Sequence, residues 1–242
     1  MTQKAFGSGV LIGVTSGAFP TPVRFGELQE ASTDFSFNIK PLFGQKSFAV
    51  TAGRGQGKIE IKAKAAHING KLYNNLFFSQ TLITGQITFV DNEAGTVPDS
   101  FRITVANSVN FEKDYGVIDA STGLPLTRVA SSPATGQYSV AAGVYTFATA
   151  DTGKNVYISY TYTNTTAGSK LAITNVNMDA APTFELIYSN SYNGQRYTAR
   201  FNAVYSDKLT LPAKMEDFVI PELSFGVIAD TAGNIGTLSF AE

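Results

Sequence analysis

The chain of 242 residues suits one large domain or a domain that carries an insert. Charged residues make up only 15% of it, against roughly 25% in ordinary soluble domains, so we expect other protein to cover much of its surface. The sequence has no cysteine, which excludes disulfides and thiolate metal sites, and no apolar run approaches the ~20 residues that span a bilayer. A soluble β-sandwich rich in Thr, Ser and Gly is the alternative interpretation of this composition.

Four segments alternate apolar and polar residues with the period of two that is typical of strands. Residues 34–39 place Phe35, Phe37 and Ile39 on one face, and residues 197–205 place Val204 on the polar face. The other two segments are residues 59–65 and 156–163. The pattern predicts strands with one buried and one polar face in antiparallel sheets.

Opposite charges gather in two segments. Residues 40–71 carry seven basic side chains against Glu60, whereas residues 203–242 carry six acidic side chains against Lys208 and Lys214. Opposite patches on one molecule favour head-to-tail contacts between copies, which produce rings or filaments. Two ordinary solvated faces are the equally weighted alternative.

Two short helices are predicted between the strands. Residues 71–79 place apolar side chains at i,i+4 spacing, as in Leu72 and Leu76. Residues 211–220 have a proline at their second position, which suits a first helical turn, and Pro221 ends the pattern.

The middle of the chain differs from both ends. Residues 85–168 are richer in Val, Thr, Ser and Ala, with prolines in turn-like settings. They predict five or six strands without a helix. We therefore predict a discontinuous β-domain, residues 1–84 and 169–242, that is interrupted by an inserted β-region at residues 85–168.

Side chains suited to catalysis are scarce. His67 is the single histidine, so a metal site would need carboxylate partners, and a Ser-His-Asp triad would lack a nucleophile elbow. Residues 53–57 are glycine-rich but precede an alternating pattern, which favours a flexible turn or assembly loop over a phosphate-binding loop. Aromatic residues are only loosely interleaved with the basic ones, which argues against direct nucleic-acid binding. We expect no enzymatic activity, no catalytic or metal-binding residues and no cofactor.

Three segments carry a resemblance to a known class of protein. GKIEIKAKAAHINGKLYNNLFFS (residues 57–79) joins a strand to a helix, and KLTLPAKMEDFVIPELSFGVIADTAGNIGTLSFAE (residues 208–242) places a short helix before a final hairpin. Both resemble parts of bacteriophage tail tube proteins. QYSVAAGVYTFATADTGKNVYISYTYT (residues 137–163) is similar to a β-unit of phage virion proteins.

The resemblance implies a mainly β fold of two packed antiparallel sheets, a tail-tube-like sandwich or barrel, with one or two short helices and the inserted β-region. Six subunits would form a ring, and rings would stack head to tail into a tube. In that family a loop or hairpin reaches into the neighbouring ring, and residues 43–58 are the candidate here. Its proposed inter-ring residues are Phe43, Lys46, Phe48, Arg54 and Lys58.

The same resemblance implies the protein's partners and location. The main partner would be the protein itself, with tape measure, tail terminator, baseplate and sheath proteins as further partners. Genomic DNA would pass through the lumen without specific binding, and no membrane would be involved. The protein would be made in the cytoplasm of a bacterial host and reside in the virion tail.

Two alternative functions remain at this point. The first is a capsid decoration or baseplate and tail-tip protein. The second is a carbohydrate-binding β-module, in which exposed aromatic residues such as Tyr188, Tyr192 and Tyr197 would stack on sugar rings.

Overall fold

A computed structural model describes residues 3–15, 20–78, 80–175, 178 and 181–241. The chain folds as two compact units: unit 1 comprises Met1–Thr81 and Ala172–Glu242, and unit 2 comprises Leu82–Leu171. The inserted region predicted at residues 85–168 lies within three residues of unit 2 at each end. Strands dominate both units and pair antiparallel except for one short pair, which confirms the predicted mainly β fold.

Fifteen strands occur in the described part of the chain. In chain order they are β1 (Val10–Thr15), β2 (Pro22–Arg24), β3 (Leu28–Phe43), β4 (Ala49–Ala65), β5 (Ile83–Thr96), β6 (Arg102–Thr104), β7 (Phe111–Asp119), β8 (Thr127–Arg128), β9 (Gln137–Ala141), β10 (Val144–Phe147), β11 (Asn155–Lys170), β12 (Thr183–Tyr192), β13 (Gln195–Thr210), β14 (Glu222–Ile228) and β15 (Gly236–Ser239).

Unit 1 is built on one eight-stranded antiparallel sheet. The strand order is β2-β1-β12-β13-β14-β4-β3, and β15 pairs with β13 beside β14. The sheet is curled. Phe25, just after β2, packs edge-on against Phe225 of β14 with ring centroids 5.6 Å apart, although β2 and β14 are not neighbours in the sheet. The core of unit 1 lies inside this curl, where Leu11, Leu186 and Phe225 are fully buried.

One helical segment closes the core of unit 1. Helix α1 (Gly70–Tyr73) continues as a π-helical turn at Asn74–Phe78. The side chain of Asn69 caps α1 by accepting a 3.1 Å hydrogen bond from the Leu72 amide. Leu72 and Leu76 are buried against the sheet, so the helix predicted at residues 71–79 is confirmed as far as residue 78; Ser79 lies outside the described residues.

The helix predicted at residues 211–220 is wrong. The segment is irregular, with a turn in which Glu216 adopts a left-handed backbone, φ +62°. Met215 and Phe218 are exposed, so no apolar helix face is buried here. A helix this short is marginal without packing, which explains why the proline pattern alone did not produce one.

Unit 2 is a β-sandwich. Sheet β5-β11-β7 and sheet β6-β10-β9-β8 share one core that includes Val117, Tyr145, Ile158 and Tyr160. The unit contains seven strands rather than the predicted five or six, and two turns of 3-10 helix. Strands such as β8, with two residues, are too short for alternation to be recognised in sequence.

A buried carboxylate ties the two sheets of unit 2 together. Asp114 of β7 accepts hydrogen bonds from the hydroxyls of Tyr138 (2.8 Å) and Tyr145 (2.9 Å). The Arg128 guanidinium lies 3.6 Å from the same carboxylate. Burial, and then the hydrogen bond to Asp114, raise the pKa of both tyrosine hydroxyls well above its usual range. Strands of opposite sheets are thereby joined through one anion.

Candidate functional site

A long hairpin extends from the sheet of unit 1. Strands β3 and β4 pair from Leu28 with Ala65 to Phe43 with Ala49. The inner part of β4 also pairs with β14, but every residue from 34 to 58 is exposed. We call residues 34–58 the hairpin arm. Ten residues of extended strand give the arm a length of about 33 Å.

All five residues predicted to make inter-ring contacts lie on the hairpin arm. Phe43 ends β3, Lys46 and Phe48 lie in the connecting loop, and Arg54 and Lys58 lie in β4. Phe48 is 86% exposed. The arm therefore brings together the residues that the sequence singled out.

The glycine-rich run is part of a strand, which corrects the expectation of a flexible turn. Gly53 pairs with Lys40 and Gly57 with Phe37, within the β3–β4 ladder. A Cβ atom on Gly57 would lie 2.8 Å from the Phe37 ring, so glycine lets that ring lie flat on the partner strand. The register shifts between Phe37 and Ile39, which marks a bulge in the middle of the run.

The apolar face of the arm is exposed among the described residues. Phe35, Phe37 and Ile39 are 45–53% exposed, although their alternation predicted a buried face. Sequence reasoning also missed Leu42 and Val50, which are exposed further along the arm. The alternation detected the face correctly, but it carries no information on whether the same chain or another covers it.

The arm is basic. Residues 34–58 carry Lys40, Lys46, Arg54 and Lys58 against a single acid, Asp34. Lys58 forms a salt bridge to Glu60, and the hydrogen bond from Lys58 lowers the pKa of that carboxyl. The Arg54 guanidinium lies 3.3 Å from the centroid of the Phe37 ring, a cation–π contact. The arm thus combines exposed aromatic rings with positive charge.

A groove runs along the base of the arm, between β4 and β15, and we call it the basal groove. Its volume is about 540 Å³. The lining is mostly apolar, with Arg54 and Lys58 beside Phe35, Phe37, Ile59, Phe201, Val227 and Leu238. The groove forms because β13 pairs with β14 along residues 203–210 and with β15 along residues 198–201, which leaves β15 separated from β4.

The arm also presents a strand edge. Strand β3 is the last strand in the sheet order, so one edge of its backbone has no partner among the described strands. An exposed edge strand can pair with another chain through main-chain hydrogen bonds. Over its outer part, the arm therefore offers backbone and side-chain contacts together.

The other residues considered from sequence do not form a site. His67 is exposed just beyond β4. Tyr188 and Tyr197 are half-buried and pack edge-on against each other with centroids 6.1 Å apart, which leaves Tyr192 as the exposed ring of the three. Within the described residues, no group of three or more His, Asp or Glu side chains is placed to hold a metal ion. Among those residues, no helix has the length and apolar character to cross a membrane.

The chain matches no protein-family model, and no curated protein matches its sequence significantly.

Proposed function

We propose that the protein is a structural virion protein that assembles as stacked hexameric rings into a phage tail tube, a conduit for genome delivery. The observation that carries the proposal is the hairpin arm, an exposed, aromatic and basic strand pair about 33 Å long. The six-fold ring and the tube come from the resemblance of residues 57–79, 137–163 and 208–242 to phage structural proteins.

The apolar side chains of the hairpin arm are costly to leave in water. Seven large apolar side chains of the arm are exposed: Phe35, Phe37, Ile39, Leu42, Phe43, Phe48 and Val50. Each aromatic or branched side chain that becomes buried stabilises the assembly by about 1.5–3 kcal/mol before ordering costs. A contact with a neighbouring subunit buries these side chains and pairs the edge of β3 at the same time.

The proposed role requires no catalysis and no cofactor. The partners would be further copies of the chain, together with the tape measure, tail terminator, baseplate and sheath proteins. DNA would traverse the lumen without specific binding, and no membrane would be needed. The protein would be synthesised in the bacterial cytoplasm and incorporated into the tail.

An arm deletion tests the proposal. Replacement of residues 38–56 by Asn-Gly closes a two-residue hairpin between Phe37 and Gly57, which face each other across the ladder. The inner strands and the core of unit 1 remain, so we expect a folded protein with a cooperative thermal transition. We expect the native protein to form stacked rings or tubes in negative-stain microscopy, and these should be absent for the arm deletion.

A matched control uses an exposed apolar residue elsewhere. Leu124→Ser in unit 2 changes a side chain that is 65% exposed and should leave tubes intact. Tubes of normal length from the arm deletion would refute the role of the arm. A native protein that stays a monomer or trimer at high concentration would instead favour a decoration or baseplate protein.

A further inference from the structure

The irregular segment between β13 and β14 presents an unusual set of exposed side chains. Phe218 is 89% exposed and Met215 is 92% exposed. Glu216 and Asp217 lie between them, and Lys214 precedes them. We call residues 215–218 the acidic turn. Its two apolar side chains flank two carboxylates on a tight turn.

The backbone of the acidic turn has an unusual conformation at Glu216. Glu216 has φ +62°, a conformation that costs a non-glycine residue roughly 1–2 kcal/mol. The Asp217 carboxylate accepts a 2.8 Å hydrogen bond from the Phe218 amide and fixes the next residue. The backbone of the turn is thereby restricted, so docking must order the Phe218 side chain but not the chain around it.

The basal groove has the complementary character. It is apolar along its floor, where Phe35, Phe201 and Leu238 contribute, and positive at Arg54. Within the described residues Arg54 has no carboxylate partner and instead lies over the Phe37 ring. An aromatic side chain followed or preceded by a carboxylate therefore fits the groove in both polarity and charge.

The two surfaces of one chain do not meet. Phe218 lies beside Lys64 and Glu222, near the inner end of β4, whereas the basal groove lies at Gly57 on the same strand. Seven residues of extended strand separate these points by about 23 Å. The acidic turn therefore does not reach the groove of its own subunit, whereas the acidic turn of a second copy can.

We infer that the acidic turn of one subunit docks into the basal groove of the next, with Phe218 in the apolar floor and Glu216 facing Arg54. The contact is heterologous, since different surfaces of identical chains meet, and such contacts generate rings or filaments. This inference rests on the proposed self-assembly and identifies one of its interfaces. It is separate from any contact made by the tip of the arm.

Charge exchange between the surfaces tests the inference. Arg54→Glu and Glu216→Lys should each raise the critical concentration for assembly roughly threefold to fivefold, as expected for a rim ion pair. An equimolar mixture of the two variants should recover assembly, because each reversed turn then meets a reversed groove. Sedimentation velocity over a concentration series measures the effect, and thermal melting checks that each variant is folded.

Phe218→Ser tests the apolar part. Because Phe218 contacts little in its own chain, folding should be unchanged, while the critical concentration should rise on the order of tenfold or more. Val109→Ser is the control, since Val109 is 95% exposed on unit 2. Native-like assembly of Phe218→Ser, or a mixture no better than its components, overturns the inference but not the proposed function. A native protein that never assembles overturns both.

Discussion

Asp114 stabilises unit 2 through contacts that its position in the sequence did not suggest. Its carboxylate is 3% exposed and accepts hydrogen bonds from Tyr138 and Tyr145. Asp114→Asn places an amide donor against one of these hydroxyl donors and removes the charge that faces Arg128. We expect the free energy of unfolding of unit 2 to fall by about 2–4 kcal/mol, measured by urea denaturation. Asp99→Asn, at an exposed position, is the control and should change it little.

The same tyrosines make the stability of unit 2 depend on pH in the alkaline range. Burial and the hydrogen bonds to Asp114 raise the pKa of Tyr138 and Tyr145 in the folded protein. The unfolded chain releases these protons near pH 10, so the stability that the two tyrosines contribute is fully present below that pH and is lost as pH rises above it. Denaturation between pH 8 and about 12 should show this loss. Tyr138→Phe should reduce the loss of stability with rising pH, whereas Tyr157→Phe, at a partly exposed ring, should not reduce it.

At the scale of elements, one glycine on β14 makes room for a tyrosine ring of β13. Gly226 faces Tyr205 across the ladder, and a Cβ atom on Gly226 would lie 2.3 Å from the tyrosine ring. Gly226→Ala therefore displaces that ring and should destabilise unit 1 by about 1–3 kcal/mol in thermal or urea unfolding. Gly53→Ala, whose nearest neighbour is 3.9 Å away, is the matched control. Equal stabilities for the two variants would contradict this account.

The elements also show what alternation can and cannot predict. Residues 59–65 and 156–163 were correctly placed in strands, since one face of each strand packs into a core of its own unit. Val204 was placed on the polar face but is buried, because a register shift opposite Phe184 and Leu186 changes the phase of β13. Bulges depend on the partner strand, and a single segment does not encode them. The strands of the arm could likewise be predicted from alternation, but alternation does not show whether their apolar face is buried.

At the scale of the whole molecule, unit 2 is connected so that it can be removed. Ile83 and Lys170, near its two ends, pair directly across β5 and β11. Paired residues in antiparallel strands have Cα atoms about 5 Å apart, so a short linker can replace the whole unit. We expect residues 82–171 alone to be a stable monomer, and the protein that lacks them to fold and self-associate. Sedimentation velocity of both tests this, and loss of self-association on removal of unit 2 would place the assembly contacts in the insert.

The discontinuous layout also sets an order of events during synthesis. The sheet of unit 1 pairs β1 with β12 and β4 with β14, so early strands must wait for strands made more than a hundred residues later. Unit 2 draws all of its strands from one continuous stretch and can fold as soon as that stretch leaves the ribosome. The hairpin arm is synthesised before either event. Its apolar face is therefore exposed on the nascent chain before the rest of unit 1 is made, whereas the acidic turn and the groove wall formed by β15 follow unit 2 in the chain. Under the proposed docking, a nascent subunit that has not yet made these segments offers its arm but neither of the two docking surfaces in complete form.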